Sequence, residues 1–130
     1  MQTKINGIEI EFQPEREIFG MMGGWIGQIS VNQTLLKGNF LHQPYVIDDG
    51  SRFLFFARYE YGKMRNDVRF SLVIFDTTNR DVWIYKHKFK ALFIESVKEN
   101  QITFYKAFQQ IKSLKSSIIF DLNDFQKEMQ

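Results

Sequence analysis

The sequence predicts a mainly β fold: a single-domain antiparallel sandwich or partly open barrel, with one or two short helices near the C-terminus. Three observations predict it. Apolar and aromatic residues alternate at period two in many short runs, the pattern of strands rather than helices. Turn signals recur about every ten residues, a spacing that suits sandwiches and partly open barrels. The connections between the central runs are too short for a crossover helix, so those strands pair antiparallel.

The chain has 130 residues, enough for one domain with a real core. It carries 14 phenylalanines and only two prolines, which argues against disorder. No linker, repeat or low-complexity segment divides it. Cysteine is absent, so no disulfide framework and no thiolate metal site exists.

Residues 1–12 read as a hairpin. Asn6-Gly7 is a strong two-residue turn signal. After it Ile8, Ile10 and Phe12 alternate with Glu9 and Glu11, placing the carboxylates on the water side. Pro14 is expected to close this strand, because it has no amide hydrogen for the ladder. Residues 15–24 are irregular. Glycines 20, 23, 24 and 27 resemble a phosphate loop at first sight, but no Gly-Lys-Ser/Thr follows. They read as a turn or bulge leading to the next strand. That strand is Trp25 to Val31, with Gly27 leaving room for a neighbouring aromatic ring. Gln33 to Phe40 reads as a further short strand broken at Lys37-Gly38-Asn39.

The stretch from Tyr45 to Lys86 is the centre of the chain. Its runs are Arg52 to Tyr61, Val68 to Asp76 and Asp81 to Lys86. The first two are apolar on both faces for most of their length, as in central strands covered on two sides, and the three form a meander. Turns are expected at Asp49-Gly50, Gly62 to Asp67 and Thr77 to Arg80. Phe89 to Val97 and Ile102 to Lys106 are two more strands, with a turn at Lys98-Glu99-Asn100. Between Phe104 and Leu114 a short helix and a looped continuation of the strand fit equally. Ser117 to Leu122 is a last strand. Asn123 is placed to cap a short helix over Asp124 to Met129.

The net charge is +2, unevenly spread. Residues 1–50 hold three basic and six acidic side chains, residues 51–90 nine and four, and residues 91–130 five and five. This split predicts two surfaces of different character. Glu9, Glu11, Glu15 and Glu17 form the acidic one. They suit a solvated edge strand whose charges block edge-to-edge pairing. That is the first reading; the second is an acidic surface that docks on a basic partner. Arg58, Arg80, Trp83, Tyr85, Lys86, Lys88 and Lys90 form the basic and aromatic one. A sheet that binds single-stranded nucleic acid exposes aromatic rings beside cations. Here the cations alternate poorly with the rings, and a core strand followed by a solvated basic turn also fits.

Catalytic signatures are sparse. His42 and His87 are the only histidines and lie 45 residues apart. No metal-ligand spacing accompanies them, and no G-x-S-x-G elbow occurs. Asp48-Asp49 leads into Gly50-Ser51-Arg52, which reads as a turn rather than a hard-cation loop. No cofactor or metal is expected. Most of the unusual residues are aromatic and suit packing or binding. The expectation is therefore a non-catalytic binding protein. Met1 leads into no apolar signal core, and no apolar run approaches the ~20 residues that span a bilayer. A soluble cytoplasmic protein with no membrane partner is expected.

In its general character the chain resembles the small bacterial immunity proteins that neutralise a cognate toxin domain, the contact-dependent-inhibition group among them. The resemblance spans the whole chain and rests on no motif. It implies a protein partner, a toxin domain, whose active site or cofactor access is blocked. Many immunity proteins against nucleases are strongly acidic, whereas this chain is slightly basic. Phe19, Trp25, Tyr45, Tyr59 and Tyr61 are the candidate aromatic anchors. The alternatives are a nucleic-acid-binding sheet using residues 58–90 and a small-ligand carrier with a barrel cavity.

Overall fold

The computed structural model describes residues 1–17, 24–61, 68–106 and 114–129, with the side chains of Tyr61 and Val68 also outside the description. Among the described residues every strand pairs antiparallel, and a 3-10 turn spans Leu122–Asp124. The strands are β1 (Gln2–Ile5), β2 (Ile8–Glu17), β3 (Trp25–Val31), β4 (Thr34–Leu35), β5 (Asn39–Leu41), β6 (Val46–Ile47) and β7 (Phe53–Tyr61). They continue with β8 (Val68–Asp76), β9 (Val82–Phe89), β10 (Phe93–Lys98), β11 (Gln101–Tyr105), β12 (Lys115–Ile119) and β13 (Phe125–Glu128).

The large sheet runs β1-β2-β3-β5-β7-β8-β9-β13, with β4 beside β3 and β6 beside β7. The small sheet is β10-β11-β12. The small sheet packs on one face of the large one. Ile94, Val97, Ile102 and Phe104 meet Phe55, Ala57, Phe70, Leu72 and Ile74 there. The opposite face is closed by the large sheet itself. Ile10, Phe12, Ile29 and Val31 share a second core with Leu54, Phe56, Val73 and Phe75. Strands β2 and β7 are not neighbours, so the sheet must curl to bring these side chains together. It does not close, because β1 and β13 remain its outer strands. The result joins both expected forms: a sandwich on one face and a partly open barrel on the other. Central strands β7 and β8 bury both faces, as their apolar runs required. Each fully buried Phe or Leu contributes about 2 kcal/mol relative to exposure.

The hairpin turns follow their residue chemistry. Asn6 and Gly7 both adopt positive φ, 50° and 82°, matching the right-handed strand twist. Glu99 and Asn100 do the same at the β10–β11 turn. Asp48 Oδ1 accepts from the backbone N–H of Arg52 and Phe53, and Asp76 Oδ1 from Thr78 and Asn79. Both aspartates thus satisfy turn amides, and Asp76 also pairs with the Arg52 guanidinium at 2.9 Å.

Several expectations are corrected. Pro14 does not end β2. Phe12 bonds toward β1, so Pro14 points the same way, but β1 pairs no further than Glu11 and no donor is needed there. Gly27 makes room for backbone, not for an aromatic ring. A Cβ on it would fall 1.9 Å from the Gln13 carbonyl oxygen of the bulged β2. Strand β9 runs to Phe89, so the basic run Lys86-His87-Lys88 is strand rather than turn, and the next strand starts only at Phe93. No helix covers Asp124 to Met129. Asp121, not Asn123, caps a 3-10 turn over Leu122–Asp124, and β13 follows it. Pairing with β9 gives these residues ladder bonds and buries Phe125, which a short exposed helix could not do. Of the expected turn at Gly62 to Asp67 and the stretch Phe104 to Leu114, residues 62–67 and 107–113 lie outside the described residues.

Candidate functional site

Two regions collect the candidate residues. The first is the outer part of the β2–β3 hairpin. Strand β2 carries a bulge between Pro14 and Arg16. Before it, Glu9 and Glu11 lie on the face shared with Gln28 and Ser30 of β3. Beyond it, Arg16 takes that face opposite Ile26, and Glu17 turns to the other face opposite Trp25. The bulge therefore divides the acidic set: Glu9 and Glu11 on one face, Glu17 on the other. Glu15 is at the bulge and exposed. Glu9 is partly compensated by Lys4 at 3.7 Å. The Arg16 guanidinium folds back over the Tyr59 ring, 5.4 Å from its centroid.

Trp25 is 46% exposed. Its backbone carbonyl accepts from His42 N–H at 2.9 Å, so the position is fixed while the indole stays open. On the same face of β3, Ile29 and Val31 are fully buried. Of the other candidate anchors, Tyr45 is buried and Tyr59 half-buried. Phe19 and the Tyr61 side chain lie outside the described residues.

The second region is the basic stretch around β9. Alternation puts Trp83 and Tyr85 on one face, half-buried against the core beneath the small sheet. It puts Lys86 and Lys88 on the opposite face. Lys86 pairs with Asp124 at 2.9 Å and Lys88 with Glu60 at 2.8 Å. Arg80 is exposed at the β8–β9 turn with φ 61°, and Lys90 is exposed beyond the end of β9. Rings and cations thus do not form one stacking platform.

Arg58 is buried on the concave face and joins residues far apart in sequence. Its Nε donates to Glu60 at 2.8 Å, and its Nη1 donates to both Glu128 carboxylate oxygens at 2.9 and 3.1 Å. Nη1 also reaches the Lys37 carbonyl at 3.4 Å. One side chain therefore spans the seam between edge strand β13 and the β4–β5 connection, where the barrel stays open. Burial alone would raise the Glu60 carboxyl, but Lys88 and Arg58 outweigh it and hold it below the usual range. A groove of about 740 Å³ runs along this seam, lined by Lys37, Lys86, Lys88, Gln126 and Glu128 among others. Sequence reasoning placed Arg58 in a nucleic-acid surface. The readable signal for its ion pair was Glu60 two residues on, since i and i+2 share a strand face.

His42 stacks on Phe12 at 4.3 Å and lies near Tyr45. Burial lowers its pKa, and the N-terminal ammonium adds to this. Burial pushes the Tyr45 phenol well above its usual range, outweighing the opposing Gln43 backbone, and the buried hydroxyl has no hydrogen-bond partner of good geometry among the described residues. His87 is exposed beside Tyr85, far from His42 along the chain. Among the described residues no group of three or more His, Asp or Glu is arranged to hold a metal ion. Among them, too, no helix is long and apolar enough to cross a membrane. No protein-family model, curated protein or solved structure matches this chain.

Proposed function

We propose that this chain is a protein-binding module that docks through the outer β2–β3 hairpin, with Trp25 as the anchor and Glu15 and Glu17 beside it. The observation that carries this reading is the exposure of Trp25 on a strand face that is otherwise core. An indole left half in water forgoes on the order of 1 kcal/mol of burial, which docking would recover. Tryptophan is among the residues most enriched at the energetic centres of interfaces. Glu17, directly across the ladder, favours a partner pocket with a basic rim, which would raise on-rate and specificity. The resemblance to immunity proteins gives this reading its specific form: the partner is a toxin domain with a basic docking face. The acidic hairpin would supply locally the negative surface that the whole chain lacks.

The test is affinity purification of the tagged protein from its native cell, with and without nuclease, for wild type and Trp25→Ala. A stoichiometric protein that survives nuclease and is lost with Trp25→Ala supports the reading. Equal retention by Trp25→Ala, with an unchanged melting temperature, rejects the hairpin as the docking site. Loss of every partner on nuclease treatment rejects protein binding in favour of nucleic acid.

A further inference from the structure

The open edges of the two sheets differ in how they are protected. Edge strand β1 carries Lys4, and β13 carries Lys127 and Glu128, each in an ion pair. Strand β10 lies against β6 and β7, and the Glu99 N–H is held by Asp49. Charged residues and covering segments are the usual means of blocking edge pairing. Strand β12 carries one such charge, Lys115, paired with Glu95 at 3.3 Å at its start, and beyond it no charged residue and, among the described residues, no covering strand. Its sequence is Lys-Ser-Ser-Ile-Ile, its register with β11 is regular, and it holds no proline or bulge. Among the described residues it pairs on one side only.

The hydrogen-bonding geometry identifies which groups this edge offers. Lys106 N–H donates to the Leu114 carbonyl and Phe120 N–H to the Asn100 carbonyl, so even-numbered residues of this strand bond toward β11. By alternation Lys115, Ser117 and Ile119 turn their N–H and C=O groups outward. These three are symmetric about Ser117. Of the exposed large apolar side chains, Leu114 (39%) precedes this strand and Ile119 (75%) ends it.

We infer that β12 pairs with β12 of a second copy of this chain, antiparallel about a two-fold axis at Ser117. In that register Ser117 faces Ser117 of the second copy, and Lys115 faces Ile119. Every outward backbone group then meets a partner, giving a ladder of six N–H···O=C bonds. No like charges stand opposite one another, and the aliphatic stem of Lys115 covers the exposed Ile119. Leu114 comes opposite Phe120 of the second copy. The two small sheets become one continuous six-stranded sheet. The interface is isologous, as closed dimers require.

Light scattering and sedimentation of the full chain, from micromolar to millimolar concentration, test this. Wild type should show a concentration-dependent monomer–dimer equilibrium. Ile119→Lys puts a cation opposite Lys115 and should weaken the dimer about tenfold, whereas Ile119→Glu loses the same apolar area but faces Lys115 with the opposite charge and should bind more tightly than Ile119→Lys. Ser117→Pro removes an outward N–H at the axis and should leave monomer with β12 still paired to β11. Circular dichroism melts check that each variant is folded, and the fully surface Ile119 pair carries the test if Ser117→Pro unfolds. A wild type that stays monomeric at millimolar concentration overturns the inference. So does a dimer that tolerates both Ile119→Lys and Ser117→Pro, or one indifferent to the sign of charge at position 119.

Discussion

Arg58→Met probes the seam of the barrel. The Arg58 side chain is 10% exposed, and its carboxylate partners Glu60 and Glu128 are 20% and 12% exposed. Methionine keeps most of the apolar stem and so leaves packing nearly intact. What it removes is a cation that touches both carboxylates. Removing one partner of a fully buried ion pair costs about 3–5 kcal/mol, because the other charge is left without compensation. Here Glu60 keeps Lys88 at 2.8 Å, and both acids retain some solvent. The expected loss is therefore about 2–3 kcal/mol at neutral pH. The pH dependence separates charge from packing. In the fold Glu60 titrates below its usual range, so its contribution is present above the unfolded carboxyl pKa of about 4.3 and is lost as pH falls through the folded value. Arg58→Met weakens that contribution, so the gap between variant and wild type should narrow on acidification. Urea denaturation of both proteins at about pH 7 and about pH 3 measures it. An equal gap at both pH values would refute the electrostatic account and place the cost in packing. A variant as stable as wild type would refute any role for the seam bridge.

Two further outcomes follow from particular contacts. Gly27→Ala should lose roughly 2–4 kcal/mol in thermal melts, because its Cβ collides with the backbone of Gln13 and Pro14, which a side-chain rotation cannot relieve. His42 is held neutral by burial against Phe12, so its folded pKa lies below the unfolded value of about 6.5. The unfolded chain then takes up the proton first, and stability should decline as pH falls below about 6.5 and not above it. His42→Phe, compared by urea midpoint at about pH 7.5 and about pH 5.5, should abolish that decline. An unchanged decline would assign it to another group.

The sequence by itself determined the strand content, most turns and the central meander. Period-two alternation over Phe53 to Tyr61 and Val68 to Asp76 is a local property of the chain, and Asn6-Gly7 specifies its turn through its own φ preferences. The solvent side of Glu9 and Glu11 follows from the same alternation. What lay beyond reach depends on partners distant in the chain. Asp124 to Met129 carries a helix-cap signal, but pairing with β9 and burial of Phe125 outweigh it. Arg58 sits beside tyrosine and near glutamate at the polar end of an otherwise apolar run. Only the curl of the sheet brings it to Glu128, 70 residues away. The acidic set looks continuous in sequence, yet one extra residue at the Pro14–Arg16 bulge turns Glu17 to the face of Trp25. Alternation states which side chains share a face. Which face meets water is decided by the sheet that packs on it, and that is set by long-range burial rather than by any local preference.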